Sequence, residues 1–319
     1  MTGENGAGKT NLLEAMHLGT QGFSPRTRSD ARMIRSGEAA ALVALRIDRL
    51  AVRHDVRVKL APPAGKTAEL DGSRLSSAEF LRREFPTLVF TPDRLAVVKG
   101  GPAVRRAYLD RVLARLFPTL AAVPQDYAAA LAQRNAALRR AQLGIGSPDA
   151  VAPWTERLVE FGRRLVEARH ETTSALEPGF AGHLDRFGLA GGALVYSGEP
   201  PTAEALAARH DTDHVRGTTG LGPHQDDLLI AAGRELRSFG SQGEQRLAVL
   251  SLLLAEAALL DPRPLVLLDD VLSELDERRR HVLASAVAGI GQTVITATHA
   301  SALPGEPAQL VEVSGGTAV

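Results

Sequence analysis

The sequence predicts an α/β fold interrupted by a helical insertion, and three observations carry that reading. A glycine-rich run at the N-terminus opens directly onto a helix-forming stretch. Far downstream, the short apolar run Leu265-Val266-Leu267-Leu268 ends in Asp269-Asp270. Between them, from Ala103 to about Thr173, apolar residues recur at helical rather than strand spacing. A chain of 319 residues is more than one small core usually holds. The expected organisation is therefore 1–100 as the first part of an α/β head, 101–200 as a helical insertion, and 201–319 as the remainder of the head.

Taken in order, a helix is expected from about Lys9 to His17. Ala40 to Leu60 alternates near its end, with Val56, Val58 and Leu60 set against Arg57 and Lys59, which predicts strands. Turns follow at Ala61–Gly65 and Asp71-Gly72, and Leu88-Val89-Phe90 reads as a short buried strand closed by Thr91-Pro92. In the insertion, Val104, Tyr108, Val112 and Leu116, with Leu109, Leu113 and Phe117, form an apolar stripe, and Arg105, Arg106, Arg111 and Arg115 lie off it. A second helix is predicted over Gln125–Gln142 and a third over Trp154–His170 with Leu158, Phe161 and Leu165 inward; Gly144 to Pro148 separates them. After Pro200-Pro201 the α/β pattern returns. Leu228-Leu229-Ile230 is a strand, Leu247 to Leu260 a helix apolar on nearly every face, and Thr293 to Thr296 a last strand before Thr298-His299.

Composition excludes several classes of function. Lys plus Arg equals Asp plus Glu, 37 each, so the chain lacks the basic excess of a general polyanion binder. Any nucleic-acid contact must come from a local patch, one that two subunits could assemble; Arg26, Arg28 and Arg32, or Arg105-Arg106, are the candidates, with solvated surface as the alternative for each. Cysteine is absent, which rules out disulfides and thiolate metal sites. The longest uncharged apolar run, Leu247 to Leu254, is too short to cross a bilayer. The N-terminus is polar and glycine-rich rather than basic then apolar. A cytoplasmic location without a membrane partner is expected.

Gly3-Glu4-Asn5-Gly6-Ala7-Gly8-Lys9-Thr10 satisfies G-x-x-x-x-G-K-[ST]. Glycines let the backbone curl so that successive N–H groups face a phosphate, and the helix start adds partial positive charge. Lys9 is expected to bridge the β- and γ-phosphates of ATP and the Thr10 hydroxyl to sit on Mg²⁺. Only Met1-Thr2 precede the loop, although the motif needs a strand before it; either the N-terminus is truncated, which is the favoured expectation, or another segment supplies the strand. Asp269 fits the role of holding the Mg²⁺ water shell, and Asp270 that of polarising the attacking water; capping a following helix is the alternative for both. Ser241-Gln242-Gly243 opens the buried helix, as a second phosphate-binding helix start or as an ordinary Ser cap. His299, after the last strand, is placed to reach a γ-phosphate or to serve structure alone.

In order, these segments resemble the Walker A, signature, Walker B, D-loop (Ser273-Glu274-Leu275-Asp276) and switch-histidine (Thr298-His299) set of ABC-type ATPases. Asn5-Gly6 and Asn11-Leu12-Leu13-Glu14-Ala15 narrow the resemblance to the DNA-repair branch that includes the SMC proteins. Thr91 to Leu95 through Lys99-Gly100-Gly101-Pro102 and Arg105-Arg106, Gly222-Pro223-His224-Gln225-Asp226-Asp227, and Ser241-Gln242-Gly243 look like the RecF family. That resemblance implies an ABC-type head with a mixed sheet and a helical arm or lobe. It implies nucleotide contacts from Gly3 to Asn11 and from Ser241, Gln242 and Gly243. It further implies ATP-dependent homodimerisation, weak DNA-dependent ATP hydrolysis, and DNA binding at single-strand gaps and single-strand/double-strand junctions. The implied partners are RecO and RecR, and RecA indirectly, in DNA replication, recombination and the SOS response. Gln225 stands where that family usually has arginine.

Four rivals are weighed. A transporter subunit places roughly one hundred residues between loop and signature, whereas Lys9 and Ser241 stand 232 apart. An SMC-type structural protein needs a long coiled coil, which the Ala103–Thr173 helices are too short to supply. An ATP-gated clamp that does not hydrolyse is left open by Asp270, shorter than the usual glutamate, and an inactive fragment by the short N-terminus.

Overall fold

The computed structural model describes residues 1–27, 29–62, 65–145, 148–303 and 305–318. The chain forms two compact units, one from 1–94 together with 260–319 and the other from 95–259. The sequence reading breaks the chain instead at 100/101 and 200/201. The stretch 201–259, with Ser241, falls in the same compact unit as the helices.

In the first unit, helix α1 (Lys9–Gln21) follows Gly8 and ends at Gly22, whose N–H donates to Leu18 O at 2.8 Å. It runs past the expected His17 because Leu18, fully buried, still has a core to enter. Strands β1 (Ala41–Arg49), β2 (Val52–Ala61), β3 (Gly65–Leu70) and β4 (Ser73–Arg74) form an antiparallel sheet. Register pairs Val43 with Val58 and Leu45 with Val56. Side chains alternate across a strand, so Val56, Val58 and Leu60 all enter one core with Leu18, Leu81 and Phe85. The β3–β4 turn is Asp71-Gly72, with φ of 51° and 80°, a left-handed pair that suits a two-residue hairpin. Helix α2 (Glu79–Glu84) and the wholly buried β5 (Thr87–Phe90) complete this stretch.

The second unit opens with α3 (Ala96–Lys99), α4 (Pro102–Leu116), α5 (Val123–Gln142) and α6 (Ala152–Arg186). Helix α6 extends well beyond His170, through Pro178, because Leu176, Phe180 and Leu184 continue the buried i, i+4 row of Leu158 and Leu165. The stripe on α4 needs one correction. Arg105 is not off the buried face; it is 3% exposed and fork-bonded to Asp227 at 2.6 Å through both Nε and Nη2. Strand β6 (Gly192–Ser197), absent from the sequence expectation, is followed by α7 (Ala203–Ala208) and α8 (His210–Arg216). It pairs antiparallel with β7 (Asp227–Ala232), Leu194 opposite Ile230. Helix α9 (Leu236–Phe239) leads to α10 (Gln242–Leu259), buried continuously from Gln245 to Ala257.

Back in the first unit, β8 (Leu265–Leu268) lies between β5 and β9 (Thr293–Ile295) in a parallel sheet, with α11 (Glu277–Val287) as the β8–β9 crossover. Leu267 faces Val89 on one side and Val294 on the other. Leu13 of α1 joins Val89 and Leu267 in a core, which seats the helix on the sheet. The Met1 ammonium donates to Ile295 O at 2.8 Å, and Thr2 bridges in parallel to both Ala297 and Glu312. Those two residues thus enter the glycine-rich loop in extended, sheet-paired backbone. A hairpin of β10 (Val313–Ser314) and β11 (Thr317–Ala318) follows. Among the described residues no helix is long and apolar enough to cross a membrane.

Candidate functional site

In open parallel sheets ligands bind beyond the carboxyl ends of the strands. At that edge of the first unit Asn5, Gly6, Gly8, Lys9, Thr10 and Asn11 line one cavity of about 300 Å³ with Asp269, Asp270, Thr296, Ala297, Thr298 and Arg26. Two segments far apart in the chain meet there because β8 and α1 pack on the same core.

The loop curls at Gly6 and Gly8, with φ of 84° and 107°, in the left-handed region that side chains rarely adopt. Ala7 N–H closes the turn onto Glu4 O at 3.2 Å. Lys9 Nζ donates to Gly3 O at 2.6 Å and to Glu4 O at 2.8 Å, so the ammonium spans the mouth of its own loop. Burial first, and the Lys9 charge second, hold the Met1 ammonium below its ordinary value.

Thr10 donates its hydroxyl to Asp269 Oδ1 at 3.1 Å, and Thr296 donates to the same oxygen at 2.9 Å. Asp269 is 7% exposed. A hydroxyl and a buried carboxylate side by side form a hard-oxygen donor pair of the kind Mg²⁺ takes, with phosphate and water as its other ligands. The next residue turns away. Asp270 has φ of 50°, and its N–H is held by Thr296 Oγ1 at 2.9 Å. A left-handed aspartate costs about 1–3 kcal/mol and persists only where its surroundings enforce it. The conformation separates two adjacent carboxylates, one buried beside Thr10 and one exposed. Ser273 donates to Asp270 O at 3.1 Å, and Asp276 caps α11 by accepting from Arg279 N–H at 2.8 Å.

His299 is exposed, in extended backbone (φ −139°) directly after the cavity-lining Thr298. Ser241, Gln242 and Gly243 belong to the second unit. There Ser241 Oγ accepts from Glu244 N–H at 3.3 Å and Glu244 Oε2 accepts from Ser241 N–H at 2.7 Å, a reciprocal capping box. The Ser241 N–H bond, ahead of all other causes, draws the Glu244 carboxyl below its ordinary value. Within this chain Ser241 is the cap that the sequence alternative describes.

Two features escaped sequence reading. Thr296, which donates to the Asp269 carboxylate and accepts from the Asp270 N–H, is the last residue of a run read only as a strand. Arg26, expected only as a candidate nucleic-acid contact, also lines the cavity, with Nη1 3.5 Å from Glu14 Oε2. Glu14 also accepts the Ser24 hydroxyl, and Ser24 Oγ accepts from the N–H groups of Arg26 and Thr27 at 3.1 Å. Its signal was in the sequence: Glu14 sits one turn beyond Thr10 in the Asn11–Ala15 run. Of the other nucleic-acid candidates, Arg32 is exposed and Arg28 lies outside the described residues. Arg105 is withdrawn by its burial, and Arg106 donates to Asp226 O at 2.6 Å.

The Gly222–Asp227 segment forms a second polar assembly, inside the second unit. Arg169 is fork-bonded to Asp110 at 2.8 and 3.0 Å and donates to Pro223 O at 2.8 Å. His224 bonds Tyr127 Oη at 2.6 Å and Thr219 O at 3.0 Å, and burial holds its imidazole below its ordinary value. Tyr196 donates to Asp226. Gln225 alone in the segment is exposed.

Comparison with known proteins follows the same lines. The profile of the RecF/RecN/SMC N terminal domain family matches residues 1–315. The chain is 39% identical over 320 residues to the DNA replication and repair protein RecF of Anaeromyxobacter sp. (strain Fw109-5), covering 93% of this chain and 85% of that protein. It is 34% identical to the RecF of Synechococcus sp. (strain JA-2-3B'a(2-13)), covering 99% and 90%. Among solved structures it is similar to the recombination mediator protein RecF-ATP in the RecFOR pathway, with a TM-score of 0.84 at 26% identity over 100% of this chain and 90% of that one. An Smc head bound to the C-winged helix domain of ScpA, at 17% identity and a TM-score of 0.60, shares the fold.

Proposed function

The chain belongs to the RecF family within the RecF/RecN/SMC group, and from that premise we propose that it binds Mg-ATP, pairs with a second copy when ATP is bound, and couples slow hydrolysis to DNA binding. The observation that carries the reading is the 3.1 Å contact of Thr10 with Asp269, which joins two motif halves 259 positions apart. The loop N–H groups from Gly3 to Lys9 and the start of α1 receive the phosphates, and Lys9 leaves its own carbonyls for them. Thr10 and Asp269 hold Mg²⁺, which when bound neutralises charge on the phosphates. Asp270 orients water, and His299 closes on the terminal phosphate.

Ser241, Gln242 and Gly243 serve the nucleotide of the second copy, since α10 presents a helix start with partial positive charge. The DNA partners are single-strand gaps and single-strand/double-strand junctions, with mediators of the RecO and RecR type and RecA downstream. The cytoplasm is the compartment this role requires. The chain carries no net charge; DNA affinity therefore depends on arginines juxtaposed by pairing, Arg32 among them.

Ser241→Arg tests the shared site. ATP binding by the monomer stays intact while dimerisation, followed by light scattering, and turnover are lost; loss of monomer ATP binding instead refutes the two-copy arrangement. A second reading, an ATP-gated clamp that does not hydrolyse, is favoured by the exposed, left-handed Asp270, a shorter acid than the usual glutamate. Under the hydrolytic reading Asp270→Asn keeps ATP binding and traps the dimer. Under the clamp reading the parent itself shows no ATP turnover.

A further inference from the structure

A curled phosphate loop turns its N–H groups inward, and its carbonyls must then find donors elsewhere. Gly3 O and Glu4 O take Lys9. Ala7 O takes the backbone N–H of Gly316, at 2.8 Å, from the turn between β10 and β11. This donor is free because Gly315 and Gly316, with φ of 56° and 79°, form a two-residue turn whose central N–H groups point away from the hairpin ladder.

The hairpin also packs on the loop directly. A Cβ built on Gly3 would stand 2.2 Å from Val313 O, and one on Gly8 would stand 3.1 Å from Gly316 Cα. Val313 is 2% exposed, and its N–H donates to Thr2 O at 2.8 Å. The loop is therefore anchored at its entry by Thr2 and Val313, and at its crest by Gly316.

We propose that the β10–β11 hairpin is part of the nucleotide site, with Gly316 as a positioning residue that holds the phosphate loop in its curled form. This rests on the ATP-binding reading above. Gly316 touches no phosphate; it acts through Ala7. Nothing lies within 4 Å of a Cβ built on Gly316. A side chain there has room, and only its backbone angle matters.

That separation defines the test. Asparagine tolerates the left-handed region, whereas valine does not. A fluorescent ATP analogue is titrated with Mg²⁺ against the parent, Gly316→Asn, Gly316→Val and Lys9→Ala, at a temperature where circular dichroism shows each to be folded. Gly316→Asn is expected to bind like the parent and Gly316→Val about tenfold more weakly or worse, the equivalent of a strained turn. If Gly316→Val does not fold at any temperature, Gly316→Ala takes its place, with a smaller loss expected. Parent-like affinity in the valine or alanine variant overturns the inference, as does an asparagine variant as weak as valine. Binding that Lys9→Ala leaves unchanged overturns the ATP reading itself. Loss in Lys9→Ala with full affinity in Gly316→Val overturns only the role of the hairpin.

Discussion

The cavity at Gly6–Thr10 and the polar assembly around Gly222–Asp227 are built from the same kinds of residue and do opposite things with them. In the second unit each charge named is closed on a partner. Arg134, 1% exposed, meets Asp213, 0% exposed, at 3.0 Å, and Thr219 and Thr155 take two more of its donors. Arg105–Asp227 and Arg169–Asp110 are fork-bonded in the same way. At the cavity, by contrast, Lys9 is bonded among the described residues only to carbonyls of its own loop, and Asp270 is exposed in a strained conformation. Buried ion pairs that satisfy one another leave no capacity for a ligand. Lys9, held only by loop carbonyls, is free to exchange those contacts for an anion, and the exposed Asp270 carboxylate stays open to water.

The comparison breaks most sharply under a pair of substitutions. Lys9→Ala removes the one loop ammonium and takes ATP affinity below detection, while unfolding free energy stays within about 0.5 kcal/mol; calorimetric titration and urea unfolding on one sample check both. Asp213→Ala does the reverse. It leaves the Arg134 guanidinium buried without its carboxylate and lowers stability by about 3–5 kcal/mol, read from urea unfolding, with ATP affinity unchanged in the folded protein. A nucleotide defect in Asp213→Ala, or a large stability defect in Lys9→Ala, would erase the distinction.

Smaller changes sharpen it. Ser241→Ala removes half of the capping box and lowers the stability of the second unit by about 1 kcal/mol. If Ser241 also serves a second copy's nucleotide, ATP-dependent association weakens as well, whereas a cap alone moves only the unfolding curve. The smallest effect is on pH. Burial lowers the His224 imidazole from its ordinary 6.5, so the unfolded chain binds this proton more readily than the folded one. Its contribution is complete above that value and is lost as pH falls from 6.5 toward the depressed folded value. His224→Gln flattens the stability profile over that window, and a profile identical to the parent's shows that His224 does not titrate in this way.

The Asp227 carboxylate has a matching sign. Burial raises it, but the Arg105 hydrogen bonds, the Leu228 N–H and the charges of Arg105 and Arg106 together outweigh burial and set it below its ordinary value of 3.8. Its stabilisation is present above that value and lost as pH falls through the folded one.

The sequence by itself determined what is local. Gly3–Thr10 states its own backbone path, because glycine placement and a following helix are properties of consecutive residues. The Ser241 cap is legible for the same reason, and the Asp71-Gly72 turn needed no partner to be read. The four apolar residues of β8 marked a buried strand, and the two acids behind it marked a strand end. Arg105 was misplaced, and the cavity position of Arg26 stayed hidden, because a charged residue's surroundings depend on what stands opposite it. Asp227 lies 122 positions from Arg105, and the loop carrying Arg26 is tied back to α1 through Ser24 and Glu14. Strand β6 stayed hidden because Gly192–Ser197 is ordered by pairing with β7 rather than by a strong pattern of its own. Tertiary structure alone decided that Asp270 turns left-handed onto Thr296, and that a glycine turn at 315–316 reaches Ala7. Long-range hydrogen bonds carry no periodicity, and only the packed chain brings their donors and acceptors together.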